Sequence, residues 1–302
     1  MRARVRVPAT CANLGPGFDA LGLALAWYDD VSAVRAGSGL TIEVSGVGAS
    51  DLPRDERHLV VRAMDATFAE LGEQRGGLEL RCENTIPHGR GLGSSAAAVV
   101  AGVLLARALV RDGADRLDDR AALGLAARLE GHPDNAAAAQ LGGFTIAWQE
   151  PHEVRAVRLE PAASLQAVVL LPESVLATEI ARGLLPATVP HVDAVHAAAR
   201  SALLVHAMTA EPGLLLAATE DRLHQAYRQP AMPETLALVG RLRAAGLAAV
   251  VSGAGPSVLV LGGPDLNEAA VSTATGDVDG TLAERGWTLR AVDLDRNGAM
   301  VS

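Results

Sequence analysis

Residues 87–95 read Pro87-His88-Gly89-Arg90-Gly91-Leu92-Gly93-Ser94-Ser95 and run straight into an alanine-rich apolar stretch that begins Ala96-Ala97. This reads as a glycine loop feeding the first turn of a helix. Three glycines at alternate positions carry no Cβ, so backbone N–H groups can approach an anion closely. A helix start adds unpaired donors and a dipole that favours phosphate. The paired serines offer hydroxyls to a phosphate or to a phosphate-bound Mg²⁺. A tight turn before a buried helix accounts for the same glycines, so the loop alone leaves both readings open.

What is missing narrows the choice. All 26 basic residues are arginine. A Walker-type loop ends Gly-Lys-Ser/Thr, whereas this one ends Gly-Ser-Ser. The protein-kinase pattern also needs a strand lysine, and the dinucleotide fingerprint needs a following acidic residue on the ribose. Schiff-base and pyridoxal chemistry are excluded, because no amine side chain exists to carry them. Phosphate, if bound, is bound by backbone, serine and arginine.

A chain of 302 residues is long enough for about two domains. Aromatic residues make up only 3%, so the core must be built from Ala, Val and Leu. The net charge of −9, with scattered arginines, argues against a nucleic-acid partner. Two cysteines, Cys11 and Cys82, are too few for a disulfide scaffold and fit a reducing compartment. The alternating start Arg2-Ala3-Arg4-Val5-Arg6-Val7 lacks the apolar core of a signal peptide. The uncharged stretch from Gly91 to Ala106 falls short of the roughly 20 residues that span a bilayer. It reads as a buried helix of a cytoplasmic protein with no membrane partner.

Strands are expected at Ala3–Val7, Leu40–Val44, Leu78–Cys82 and Phe144–Trp148. Helices are expected at Leu59–Leu71, Ser95–Val110 and Arg120–Leu129, the last stopped by Gly131 and Pro133. Asp134 or Asn135 can cap a short helix, Ala136–Leu141, ended by Gly142-Gly143. The segment Gln149–Ser164 has no clear period and marks a boundary, dividing residues 1–157 from 158–302. Beyond it the pattern predicts a strand at Leu165–Leu171 and helices at Asp193–Met208, Gly213–Ala226 and Pro233–Ala245. Strands follow at Leu247–Val251, Ser257–Leu261 and Trp287–Leu294. Mixed elements without a steady βαβ rhythm indicate the α+β class.

Three motifs stand in order: Pro8-Ala9-Thr10-Cys11-Ala12-Asn13-Leu14-Gly15-Pro16-Gly17-Phe18-Asp19, then Pro87 to Ser95, then Ser252-Gly253-Ala254-Gly255-Pro256-Ser257. This order resembles the GHMP kinase superfamily of small-molecule kinases, and the first motif its homoserine kinase branch. Glu130-Gly131-His132-Pro133-Asp134-Asn135, Leu141-Gly142-Gly143 and Thr178-Glu179-Ile180-Ala181-Arg182 strengthen the resemblance, which runs from Val5 to about Leu261. It implies an N-terminal ATP-binding domain like domain 2 of ribosomal protein S5 and a ferredoxin-like C-terminal domain, with the active site between them. It also implies Mg²⁺-dependent transfer of phosphate from ATP to the side-chain hydroxyl of L-homoserine, and it is compatible with a homodimer.

Residue by residue, the resemblance implies that Pro87 to Ser95, with Ala96 and Ala97, hold ATP. Ser95 and Glu130 match the Mg²⁺ contacts. Arg182 and Arg228 match the carboxylate binders, and a guanidinium fork suits that planar group. Asn13, Asp19 and Gly253 match substrate positions, Asp19 facing the ammonium, and Asn135 the reacting hydroxyl. Asp134 matches the general base of related kinases. A loose phosphoryl-transfer transition state asks mainly for positioning, so orienting the hydroxyl, accepting its proton and capping the following helix all stay open. Two positions depart from the pattern. Cys11 stands where serine is usual, and His58 stands where an asparagine of the adenine pocket is expected. The remaining histidines, His132 included, show no metal-ligand spacing and read as structural.

Three alternatives compete. A kinase of mevalonate or a sugar has no use for Asp19 as an ammonium partner. A catalytically dead sensor is expected to have lost Ser95, Glu130 or Asp134. A plain nucleotide-binding domain leaves the two arginines and the first motif unexplained.

Overall fold

The alternation that opens the chain becomes the first strand: Arg2, Arg4 and Arg6 face solvent while Ala3, Val5 and Val7 are buried. A computed structural model describes residues 1–276 and 281–302. The first half comprises β1 (Arg2–Ala12), β2 (Leu21–Ala36), β3 (Leu40–Gly46), α1 (Leu59–Glu70), β4 (Gly77–Asn84), α2 (Ser94–Ala108), α3 (Gly113–Arg116), α4 (Asp119–Glu130), α5 (Pro133–Leu141), β5 (Phe144–Gln149) and β6 (Val154–Leu159). The second half comprises β7 (Gln166–Pro172), α6 (Thr178–Gly183), α7 (His191–Thr209), α8 (Leu215–Ala218), α9 (Pro233–Ala244), β8 (Ala248–Val251), β9 (Val258–Gly262), α10 (Glu268–Thr275), α11 (Thr281–Glu284), β10 (Trp287–Val292) and β11 (Met300–Val301).

The first sheet has the order β11-β1-β2-β4-β3, and β2 also pairs β5, which carries β6. All its pairings are antiparallel except β3 with β4, which are joined through α1. Helix α2 is apolar on every side, and all residues from Ala96 to Ala106 except Ala98 are buried. It packs against α1, α4, α5 and β1, as a fully buried helix should. The second sheet, β10-β7-β9-β8, is antiparallel and covered on both faces. Ala167 and Val169 join the main core with Leu204 and Met208 of α7, while Val168 and Leu170 pack with Leu238 and Leu242 of α9. No helix among the described residues is long and apolar enough to cross a membrane.

Four expectations need correction. No strand was expected at 21–36, yet β2 is the longest of the first sheet's partners, pairing β1 from Gly22 to Val34. Residues 21–25 are all buried and Val31 and Ala33 alternate with half-buried neighbours, but Asp29 and Asp30 interrupt the apolar pattern. Asp29 is drawn inward because its carboxylate accepts the backbone N–H groups of Thr85 and Ile86 (2.6 and 2.9 Å). The segment 149–164 is not without period: β6 lies within it and runs through residue 157, so the passage between sheets is residues 160–165. The helix expected at Gly213–Ala226 reduces to a 3₁₀ turn and α8. Asp221 stops it, accepting the N–H groups of Leu223, His224 and Gln225 in place of helical carbonyls. Finally, the strand at 287 ends at Val292, and the chain returns to the first sheet as β11 on β1.

Helices α1 and α2 meet through Gly102. A Cβ there would stand 2.6 Å from the Val60 carbonyl oxygen and 2.7 Å from the Ala63 Cβ. In an open helix Gly→Ala stabilises by about 1 kcal/mol. Here overpacking wins, and Gly102→Ala is expected to destabilise the protein by about 1–3 kcal/mol. Urea denaturation of the two proteins reads the sign directly.

Candidate active site

Three turns converge where the two sheets meet. The first follows β1, where Asn13, Leu14 and Asp19 hold left-handed backbone (φ 70°, 48° and 56°). Asparagine and aspartate tolerate that region better than most residues. Asn13 ties the turn together: its Oδ1 accepts the Asp19 N–H at 3.0 Å, and its Nδ2 donates to the Gly253 carbonyl at 2.9 Å. The 252–257 turn is anchored in return, since the Gly253 N–H donates to the Ala12 carbonyl and Ser252 Oγ to the Gly91 carbonyl at 2.7 Å.

The glycine loop closes the triangle. Gly89, Gly91 and Gly93 all have positive φ, near 70°. Gly93 precedes the first residue of α2, and a Cβ on it would lie 1.8 Å from Thr10 Oγ1. That hydroxyl donates to Asn135 Oδ1 at 2.7 Å, so the first motif orients a residue of the fourth. Gly89, Gly91, Gly93, Ser94 and Ser95 line one side of a cleft, and Glu130, His132, Asp134 and Asn135 the other.

Two acids in this cleft are held away from their ordinary ionisation. Asp134 is 2% exposed, and burial pushes its carboxyl up to about 7, opposed by the Asn135 N–H it accepts at 2.7 Å and assisted by the charge of Asp19. Burial likewise pushes Glu130 up to about 7, opposed by Ser95 Oγ, which donates to Glu130 Oε2 at 2.8 Å. No cation pairs with Glu130 among the described residues. Ser95 and Glu130 therefore offer two adjacent hard oxygens, a donor set that fits Mg²⁺.

The arginines sit at the far end of the cleft. Arg228 is 1% exposed; its Nη1 donates to the Gly253 carbonyl at 3.1 Å, and its Nε has no partner. Burial and the neighbouring Arg182 bring its guanidinium down to about 10. Arg182, on α6, is paired with Asp19, Nη1 to Oδ2 at 3.1 Å and Nη2 to Oδ1. Both guanidinium carbons stand over the Phe18 ring, at 5.3 and 5.6 Å from its centroid. On the ring's other contact, His224 stacks at 5.0 Å and donates from Nε2 to the Gly15 carbonyl at 2.8 Å.

A second, apolar cleft shares Ser94 and Ser95 with the first and runs past His88, Ala97 and Leu59 to His58. His58 is 3% exposed with neither ring nitrogen partnered. Burial, with Arg54 and His88 nearby, depresses its pKa and keeps the ring neutral. Of the loop residues expected to hold ATP, Pro87, Arg90, Leu92 and Ala96 line neither cleft. Leu92 and Ala96 are buried in the core beneath them, and Arg90 donates to the Glu173 carbonyl. Sequence reasoning gave no role to Thr10, Phe18, His132, Thr178 or His224. The first four lie inside the quoted motifs; nothing local distinguishes His224.

Comparison with known proteins identifies the family. The model of the GHMP kinases N terminal domain matches residues 58–143, and that of the GHMP kinases C terminal domain matches residues 187–274. A homoserine kinase of Streptomyces avermitilis is 57% identical over 298 residues, covering 99% of this chain and 95% of that one. A homoserine kinase of Clavibacter michiganensis is 49% identical over 301 residues, covering 99% and 94%. Among solved structures, a homoserine kinase from Cytophaga hutchinsonii superposes with a TM-score of 0.84 at 26% identity, covering 100% of this chain and 97% of that one. A two-domain α+β fold, a glycine loop at the start of α2 facing the 252–257 turn and a full-length match of this depth place the chain in the homoserine kinase family of the GHMP kinases.

Proposed function

We infer that this chain phosphorylates the side-chain hydroxyl of L-homoserine with ATP, giving O-phospho-L-homoserine. One observation carries the reading of the substrate end. Arg228 is a buried guanidinium with no acidic side chain in ion-pair range among the described residues. Burying an unpaired charge is expensive, so the position calls for an anionic group from a ligand. A planar carboxylate matches the fork, and Asp19 stands across from it for an ammonium.

The glycine loop and the start of α2 present backbone donors to the ATP phosphates. Ser95 and Glu130 would hold Mg²⁺, which when bound neutralises charge on the β- and γ-phosphates. Asn135, fixed by Thr10, and Asp134 address the substrate hydroxyl from the opposite wall. Asp134 first positions that hydroxyl and then takes its proton as the bond to phosphorus forms. A carboxyl near 7 suits a group that must accept a proton at neutral pH. The apolar cleft suits the purine, with His58 offering one donor and one acceptor at its inner end. The work is then divided between a first half that ends with β6 at Leu159 and a second that begins with β7 at Gln166, in place of a division between 157 and 158.

The direct test is Mg²⁺-dependent ADP release with L-homoserine, L-serine, mevalonate and galactose as acceptors. L-homoserine alone is expected to drive it, and turnover with another alcohol instead overturns the assignment. His58→Leu is expected to raise KM for ATP about tenfold, a hydrogen bond's worth, with KM for homoserine unchanged; steady-state kinetics separates the two.

Asp134 also carries a stability signature. Its folded-state pKa near 7 lies above the unfolded value of 3.8. The folded form thus binds the extra proton between these values, and its stability is lost as pH rises toward 7. Asp134→Asn is therefore expected to lose turnover yet melt at a higher temperature than wild type at pH 8. The difference is expected to shrink to nothing near pH 4 in calorimetric scans.

A further inference from the structure

The two side chains set to receive opposite ends of an amino acid are already holding each other. Arg182 grips both oxygens of Asp19, side chains about a third exposed, across 163 residues of sequence. Asp19 is fixed from behind, its backbone N–H on Asn13 Oδ1 and its φ at 56°. Arg182 is less constrained. Helix α6 has six residues, only Ala181 buried, and no side-chain cap. Its Ile180 faces solvent, and Arg182 Nε is without a partner.

We propose that the Asp19–Arg182 ion pair is an internal stand-in for the substrate's charged ends, so that binding is an exchange of ion pairs that only a zwitterion completes. The proposal rests on the homoserine reading above. A carboxylate that draws Arg182 away takes from Asp19 its bonded cation and leaves it facing a cleft with Asp134 and Glu130, with Arg228 acting on it only at a distance. An ammonium that takes Asp19 leaves Arg182 beside Arg228, over the same Phe18 ring. Either half-exchange strands a charge next to its like, and the two together strand none. The ammonium and carboxylate are thus read jointly, and a ligand carrying one of them is rejected more strongly than the loss of one contact accounts for.

Calorimetric titration tests this with L-homoserine, 4-hydroxybutyrate (which lacks the ammonium) and 3-amino-1-propanol (which lacks the carboxylate). In Asp19→Asn, homoserine is expected to bind more weakly while 4-hydroxybutyrate binds more tightly than to wild type. The gain expected is about five- to tenfold, the scale of one charge-assisted pair. In Arg182→Gln, 3-amino-1-propanol is expected to gain by a similar factor. Two independent variants keep the test alive should one fold poorly, which circular dichroism and ATP binding report. If single-charge ligands bind each variant no better than wild type, the anchors act independently and the proposal falls. Failure of homoserine itself to bind wild type strikes the substrate assignment instead.

Discussion

Everything in the cleft depends on the absence of a side chain at residue 91. A Cβ there would stand 2.1 Å from the Ser252 carbonyl oxygen and 2.9 Å from the Gly255 amide nitrogen. Backbone of the first domain rests on backbone of the second with nothing between. That contact sets the glycine loop, the Asn13 turn and the 252–257 turn at fixed distances, because each is hydrogen-bonded to another through main-chain atoms. Side chains can change rotamer, but a main-chain contact of this kind moves only if both domains do. The geometry of the site is therefore a property of the domain interface rather than of any one loop.

Burial then gives the cleft its chemical character. The same cause raises Asp134 and Glu130 and lowers Arg228, in each case by disfavouring the charged form. A protein selected for stability alone would pair these groups with one another. Here the acids gather at the glycine loop and the arginines at Phe18, apart from the one Asp19–Arg182 contact. Asp134, Glu130 and Arg228 have no ion-pair partner among the described residues, and the folded state carries the cost of that arrangement.

The sequence made some parts of this plain and hid others for physical reasons. Turn chemistry is local, so the glycine loop, the start of α2 and the Gly131-His132-Pro133 break could be read from a few residues. The apolar character of α2 also announced a buried helix. Strand β2 was hidden because Asp29 and Asp30 break its alternation, and what makes Asp29 tolerable inside is a pair of amides some 56 residues away. The helix expected at 213–226 had the right composition, but one aspartate with three local amides outweighs several leucines. At the site, family motifs pointed to Asn13, Asp134 and Arg182 singly. They did not reveal that Arg182 and Asp19 meet, nor that His224 backs Phe18, since both depend on how the second domain sits on the first.

The last ten residues have a mechanical meaning. After β10 the chain crosses back, Asp293 and Asp295 exchange main-chain hydrogen bonds with Ala24, Ala26 and Gly143, and Ser302 pairs with Arg4. The second domain is thus moored to the first at both of its ends, through 160–165 and through 293–302. A clamshell with hinges on two seams opens poorly. The two seams hold the facing walls of the cleft at one spacing, so its shape is set by main-chain register at Arg4, Ala24, Ala26 and Gly143, none of which lines it.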